Sequence, residues 1–173
     1  LEGGAKFANT GRASVLATYL NKAQTDFETA NANGVTERIQ AGDLVGASPA
    51  NSALLRDEQT IKVFNQMNFT MGTLGNHEFD KGLGEFIRII NGQAPTREAM
   101  GNISDNLWQA IDSYPREKST QEFMVANITV KGDNKPEGKA GEIPYDLPPY
   151  TIKTYGEGED AVKVGYIGVV TKE

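Results

Sequence analysis

One histidine occurs in the 173 residues, and it stands in TLGNHEFDKG, Thr73 to Gly82, directly after an apolar run. The residue types around it can do chemistry at a single centre. Asn76 and His77 are adjacent, Asp80 follows three positions later, and Asp43 sits in a separate stretch, AGDLVG. A carboxylate and an amide oxygen are hard donors, suited to Mn²⁺ or Mg²⁺ and acceptable to Zn²⁺. An Asp on a turn after one strand and an Asn on a turn after its neighbour can hold a cation between them. The two oxygens of Asp43 also allow it to bridge two ions, and two-metal centres (~3.5–4 Å apart) activate water and clamp a phosphoryl group. Beside such a centre, His77 suits a general acid or a hydrogen-bond donor to the transition state. Asp80 can fix its tautomer and favour its charged form. Taken singly, each residue has an ordinary structural role as loop polar group, turn former or helix cap. Their joint placement on successive strand ends is what favours a site.

The elements that must position them follow from periodicity. Between Arg12 and Ala30, Leu16, Leu20, Ala23 and Phe27 recur at helical spacing, with Asn9 or Thr10 as a cap and NANG at Asn31–Gly34 as a stop. VTERIQAGD reads as a short strand ending in a Gly42–Asp43 turn. A small-residue loop then leads to TIKVFNQMN, which puts Ile61, Phe64 and Met67 on one helical face. FTMGTLG is a second strand, followed by the histidine turn and a helix from Leu83 to Ile90. Such alternation predicts an α/β domain with parallel strands, and both suggestive turns fall past strand C-termini, where open α/β sheets bind ligands. A helix around Asp105–Asp112 is expected to turn Leu107, Trp108 and Ile111 inward. EFMVANITV is expected to return to strand, and YTIKTYGEGEDAVKVGYIGVV to form a hairpin. Lys81 and Arg88 lie near the histidine and can meet an anion, although Arg88 is expected on a helix surface.

Composition narrows the function classes. A net charge of −6 opposes a general grip on a nucleic-acid polymer, because phosphate backbones demand an excess of Lys and Arg. A small phosphorylated substrate stays compatible, since a metal supplies positive charge locally. No apolar run reaches the ~20 residues of a membrane span. The absence of cysteine removes disulfides, thiolate metal sites and Cys nucleophiles.

AGDLVGASP followed by GNHEFDKG closely resembles the calcineurin-like metallophosphoesterases, in the branch that holds 5′-nucleotidases and 2′,3′-cyclic-nucleotide phosphodiesterases. GRASVLATYLNK is similar to that family's first helix, and VANITV and VGYIGVVTKE to later strands. The resemblance implies a sandwich of sheets flanked by helices. It also implies two divalent metal ions (Mn, Zn, Mg or Ca) and a nucleotide or cyclic-nucleotide substrate. On the matching positions, Asp43 is the metal-bridging carboxylate, Asn76 a ligand of one metal, and His77 with Asp80 the catalytic dyad. Glu78 belongs to the signature and is expected to be structural, pairing with nearby backbone or a Lys.

The family pattern further needs an Asp-x-His before this segment, and a later His and Gly-His-x-His after it. None is present, because His77 is the sole histidine. Residues 1–173 are therefore expected to be part of a catalytic domain, without its first strand and C-terminal part and with a surface insertion at 91–121. Hydrolysis of nucleotide phosphate esters is expected of the full-length parent, and this chain alone is expected to be inactive. An extracellular or wall-attached bacterial location follows from the resemblance. A homodimer is one way to cover the edges that a missing strand exposes. The alternative is a non-catalytic binding or interaction domain on the same scaffold.

Overall fold

Three short parallel strands set the frame of the computed structural model, which describes residues 11–133 and 136–171. They are β1 (Ile39–Gln40), β2 (Met71–Gly72) and β3 (Glu122–Phe123), in the order β1-β2-β3. Ile39 pairs with Met71 and Gln40 with Gly72; Met71 pairs in turn with Glu122, and Gly72 with Phe123. Helices connect them: α1 (Ala13–Ala30) precedes β1, α2 (Ala50–Ala53) and α3 (Glu58–Gln66) lead to β2, and α4 (Leu83–Ile90), α5 (Arg97–Met100) and α6 (Asp105–Asp112) lead to β3. An antiparallel hairpin follows, β4 (Tyr150–Tyr155) with β5 (Val162–Ile167). The chain is thus mixed α/β with helical crossovers between parallel strands, as the alternating pattern requires.

The core lies where α3 and α4 cover the sheet. Ile61, Leu74, Phe86 and Val125 are almost fully buried there, and Phe86 meets Phe123 edge-on at 5.2 Å between ring centres. Side chains of this kind each contribute ~1.5–3 kcal/mol on burial, so α4 is tied to the sheet by its apolar face. The hairpin docks through polar contacts: Lys153 Nζ reaches Glu122 at 2.9 Å, and the Tyr155 hydroxyl donates to Glu37 at 3.0 Å. Burial and the acceptors around it push the Tyr155 phenol well up from its ordinary value.

Several elements depart from the periodicity. α1 forms where expected, yet none of its residues is buried, and Leu16 and Phe27 stay 45% and 44% exposed. Its attachment is polar: Arg38 donates to Asn21, to Gln24 and to the Met67 carbonyl. The cap expected at Asn9 or Thr10 lies outside the described residues. β3 stops after Phe123, although Met124 and Val125 are buried. Beyond it, the Val125 and Ala126 amides donate to the Pro148 and Gly168 carbonyls, so the chain enters loop pairing instead of a longer ladder. α6 matches the expected range, with Ile111 buried and Leu107 and Trp108 half-buried. Arg88 is not a surface residue. It is enclosed between Glu58 and Glu85, with its side chain 12% exposed, because α3 and α4 pack against each other there. No helix among the described residues is long and apolar enough to cross a membrane.

Candidate active site

The turns after β1 and β2 touch. Gly42 has φ of +99°, and a side chain on it would come within 2.3 Å of the Gly75 amide nitrogen. Gly75 faces the same restriction, since a Cβ there would lie 2.2 Å from Asp43 Oδ1. Two glycines therefore let the backbone of one strand end press against the other. Gln40 closes the junction: its side-chain oxygen accepts from the Gly42 amide, and its Nε2 donates to the Thr73 carbonyl.

Glu78 is the clamp between them. It is 2% exposed, and its carboxylate accepts from three backbone amides: Asp43 at 3.0 Å, Leu44 at 2.6 Å and Gly75 at 2.6 Å. The structural role expected for Glu78 takes the backbone form, with no lysine involved. Its position follows from the 3₁₀ turn His77–Phe79, which points Glu78 inward while His77 and Asp80 face outward.

On this frame the four residues singled out in the sequence gather at neighbouring strand ends. The His77 amide donates to Asp43 Oδ1 at 3.2 Å. His77 Nδ1 lies 2.9 Å from Asp80 Oδ2, with the two side chains 33% and 43% exposed. With Nδ1 donating to Asp80, Nε2 is left to face solvent and any ligand. The half-buried Asn76 directly precedes His77, and its side chain has no hydrogen bond among the described residues.

Hydrogen bonding to Asp80 raises the His77 imidazole above its ordinary 6.5, partly countered by desolvation, with the charges of Asp80, Asp43 and Glu78 pushing the same way. Nuclear magnetic resonance titration of the only imidazole in the chain, in chelator-treated buffer, should show this directly. Asp80→Asn should bring the value back toward 6.5. A raised folded-state value means that the pair stabilises the fold fully below pH 6.5, and that this contribution fades as pH rises through the folded value. An unchanged titration in Asp80→Asn would dissociate Asp80 from the imidazole.

The donor chemistry here fits a hard divalent cation, in kind if not in number. Asp43 Oδ2 and the Asn76 amide oxygen are the available atoms. Among the described residues no group of three or more His, Asp or Glu converges as a metal cluster. Such ions take about six ligands.

A cleft of about 430 Å³ opens beside the dyad, lined by Val45, Gly46, Arg56, His77, Lys81 and Phe86 among others. Sequence reasoning missed its far wall. Gly46, with φ of +86°, packs so closely that a Cβ would lie 2.7 Å from Asp80 Oδ2 and 2.8 Å from the His77 Cβ. Asp57 accepts from the Gly46 amide at 3.0 Å and from the Ser52 hydroxyl at 2.5 Å, which fixes this loop against the histidine. The available signal was the spacing of small residues in GASPANS, which pattern analysis reads only as loop.

No protein-family model matches the sequence. It is 45% identical over 166 residues to cell wall protein Lmo0130 of Listeria monocytogenes, an alignment covering 94% of this chain and 19% of that protein. It is 31% identical over 162 residues to endonuclease YhcR of Bacillus subtilis, covering 94% of this chain and 11% of that one. An uncharacterized protein in the pqq-V 5′ region of Acinetobacter calcoaceticus is 35% identical over 120 residues, 68% of this chain and 50% of that protein. The chain thus spans a fifth or less of the Listeria and Bacillus relatives and half of the Acinetobacter one.

Proposed function

We propose that the chain is part of a calcineurin-like metallophosphoesterase catalytic domain, and that the longer protein containing it hydrolyses nucleotide phosphate esters, as a 5′-nucleotidase or a 2′,3′-cyclic-nucleotide phosphodiesterase. The observation that carries this reading is the junction of the two strand-end turns. There Asp43, Asn76 and the His77–Asp80 pair meet around a close glycine contact that Glu78 locks. A relative that bears the name endonuclease fits phosphoester chemistry, and one named a cell wall protein fits an extracellular or wall-attached bacterial location.

In this reading, Asp43 and Asn76 would hold divalent metal, with the remaining ligands supplied from outside this chain. Bound metal would supply charge neutralisation and water activation at the phosphoryl group. The chain's own residues do the rest. Asp80 holds the imidazole by Nδ1, keeping it charged to higher pH and presenting Nε2–H to a phosphate oxygen that gains negative charge. The Glu78 clamp fixes Asp43 relative to that imidazole.

Two measurements test this. In the longer protein with Mn²⁺, phosphate release from a nucleoside monophosphate or opening of a 2′,3′-cyclic nucleotide should fall by ~10²-fold or more in His77→Ala, in keeping with the loss of a general acid or oxyanion donor. Asp43→Ala should reduce it further. Calorimetric titration of Mn²⁺ into the 173-residue chain should give binding weaker than millimolar, because two oxygen donors do not make a site. Hydrolysis of neither substrate class by the longer protein would leave the non-catalytic binding domain as the better reading.

A further inference from the structure

The cleft beside His77 has a wall that phosphoryl chemistry does not use. Its floor is apolar, formed by Val45, Phe86 and Ile89, all buried. Its rim carries two cations, Arg56 and Lys81. The carboxylates that share the lining are already committed. Glu78 serves three backbone amides, Asp57 serves the Gly46 amide and the Ser52 hydroxyl, Asp80 holds His77, and Glu85 accepts two hydrogen bonds from Arg88 at 2.8 Å. Neither rim cation forms an ion pair among the described residues. The Arg56 guanidinium makes one hydrogen bond among the described residues, to the Ala99 carbonyl at 3.0 Å, out of its five N–H donors.

The backbone holds Arg56 in an unusual state. Arg56 and Asp57 occupy the left-handed region in succession, with φ of 51° and 61°. Non-glycine residues are strained there, and such strain persists only where surrounding contacts over-determine it. Those contacts are visible. The Arg56 and Asp57 amides donate to the Ala53 and Ser52 carbonyls, and the Asp57 carboxylate is anchored on both oxygens. The loop that sets Gly46 against His77 is therefore the same loop that sets the guanidinium on the cleft's rim.

We propose that this cleft receives the alcohol side of the phosphate ester, and that Arg56 and Lys81 favour nucleotides whose nucleoside carries a second negative charge, a carboxylate or a further phosphate, over those whose nucleoside is uncharged. The apolar floor takes the body of the group and the rim cations its charged end, while the reacting phosphate lies toward His77. A planar guanidinium suits either anion, because its forked donors match carboxylate and phosphate oxygens alike. This inference rests on the phosphoesterase reading of the neighbouring site.

Two probes that differ by one charge test it, phenyl phosphate and 4-carboxyphenyl phosphate, titrated into the 173-residue chain and followed on the His77 ring signals. The carboxylated ester should bind roughly fivefold more tightly, the upper end for a solvent-exposed charge pair. That preference should fall to about one in the double variant Arg56→Gln, Lys81→Gln. Equal affinities in the unmodified chain would overturn the proposal. So would a preference that survives the double variant, or His77 signals that neither ester moves. Hydrolysis of phenyl phosphate by the longer protein separates the two readings: turnover without carboxylate preference removes the charged subsite and leaves the phosphoesterase standing. A circular dichroism melt of the double variant matching the unmodified chain shows that the change is local.

Discussion

Replacing Glu78 by Ala should lower the unfolding free energy by about 3–5 kcal/mol, measured by urea denaturation of the 173-residue chain. The carboxylate is nearly inaccessible and accepts from three backbone amides on two different turns. Each buried amide left without an acceptor costs on the order of 1–3 kcal/mol, and hydrogen bonds to an ionised acceptor are the stronger kind. Water entering the vacated space would offset part of the sum, which is why the lower half of the additive range is expected. Glu78→Gln separates shape from charge. It keeps the volume and one oxygen but sets an amide group against a backbone N–H, so a cost of about 2 kcal/mol is expected. Both variants should also shift the His77 ring signals, because the His77 amide and Asp43 share a hydrogen bond across the clamped junction. A loss below about 1 kcal/mol in Glu78→Ala would mean that the turns hold each other without the carboxylate.

The clamp also shows what a sequence carries and what it hides. TLGNHEFDKG stands out as a candidate site because its residue types are rare in combination, and the strand-turn-helix frame around it follows from apolar spacing; α4 and α6 occupy the expected residues. Asp43 and His77 lie 34 residues apart in sequence, yet their contact is anticipated, because both follow strands that a helical crossover makes parallel neighbours. Periodicity fails where the decisive partner is distant backbone. For Glu78 the resemblance implies a structural role toward nearby backbone or a Lys, but periodicity does not say which amides it meets, those of Asp43, Leu44 and Gly75. Arg88 reads as a surface residue because a helical wheel holds no information about Glu58 on another helix. The stripe on α1 is the opposite case: the pattern is correct for an amphipathic helix, but periodicity says which face is apolar and not what covers it. The cleft wall was invisible for a further reason, since Arg56 and Asp57 take backbone conformations that their residue types rarely adopt.

The second large effect is expected at Glu58, where α3, α4 and the segment after α6 share one buried charge group. The Glu58 carboxylate lies 2.7 Å from an Arg88 terminal nitrogen and 2.7 Å from Arg116 Nε, with the Glu58 and Arg116 side chains 5% and 7% exposed. With Glu85 paired to Arg88, the group holds two acids and two bases and is neutral. Removing Glu58 leaves one excess positive charge in the interior, and removing Arg116 leaves one excess negative charge. Glu58→Gln and Arg116→Met should therefore each cost about 3–5 kcal/mol, the usual loss when one partner of a buried pair is deleted. The double variant restores neutrality, since Glu85 and Arg88 remain paired, and should cost well under the sum, with a coupling energy of about 2 kcal/mol or more in a double-mutant cycle. Additive losses would show that the two residues act independently, Arg116 through its bonds to the Ile111 and Tyr114 carbonyls. The pH dependence has a definite sign as well. Burial alone would raise the Glu85 carboxyl, but hydrogen bonding to Arg88 and the nearby charges of Arg88 and Arg56 together outweigh it and hold the group below its ordinary 4.5. Its stabilisation is therefore present above pH 4.5 and is lost as pH falls through the depressed value, so unmodified chain and double variant should both weaken over that acid window.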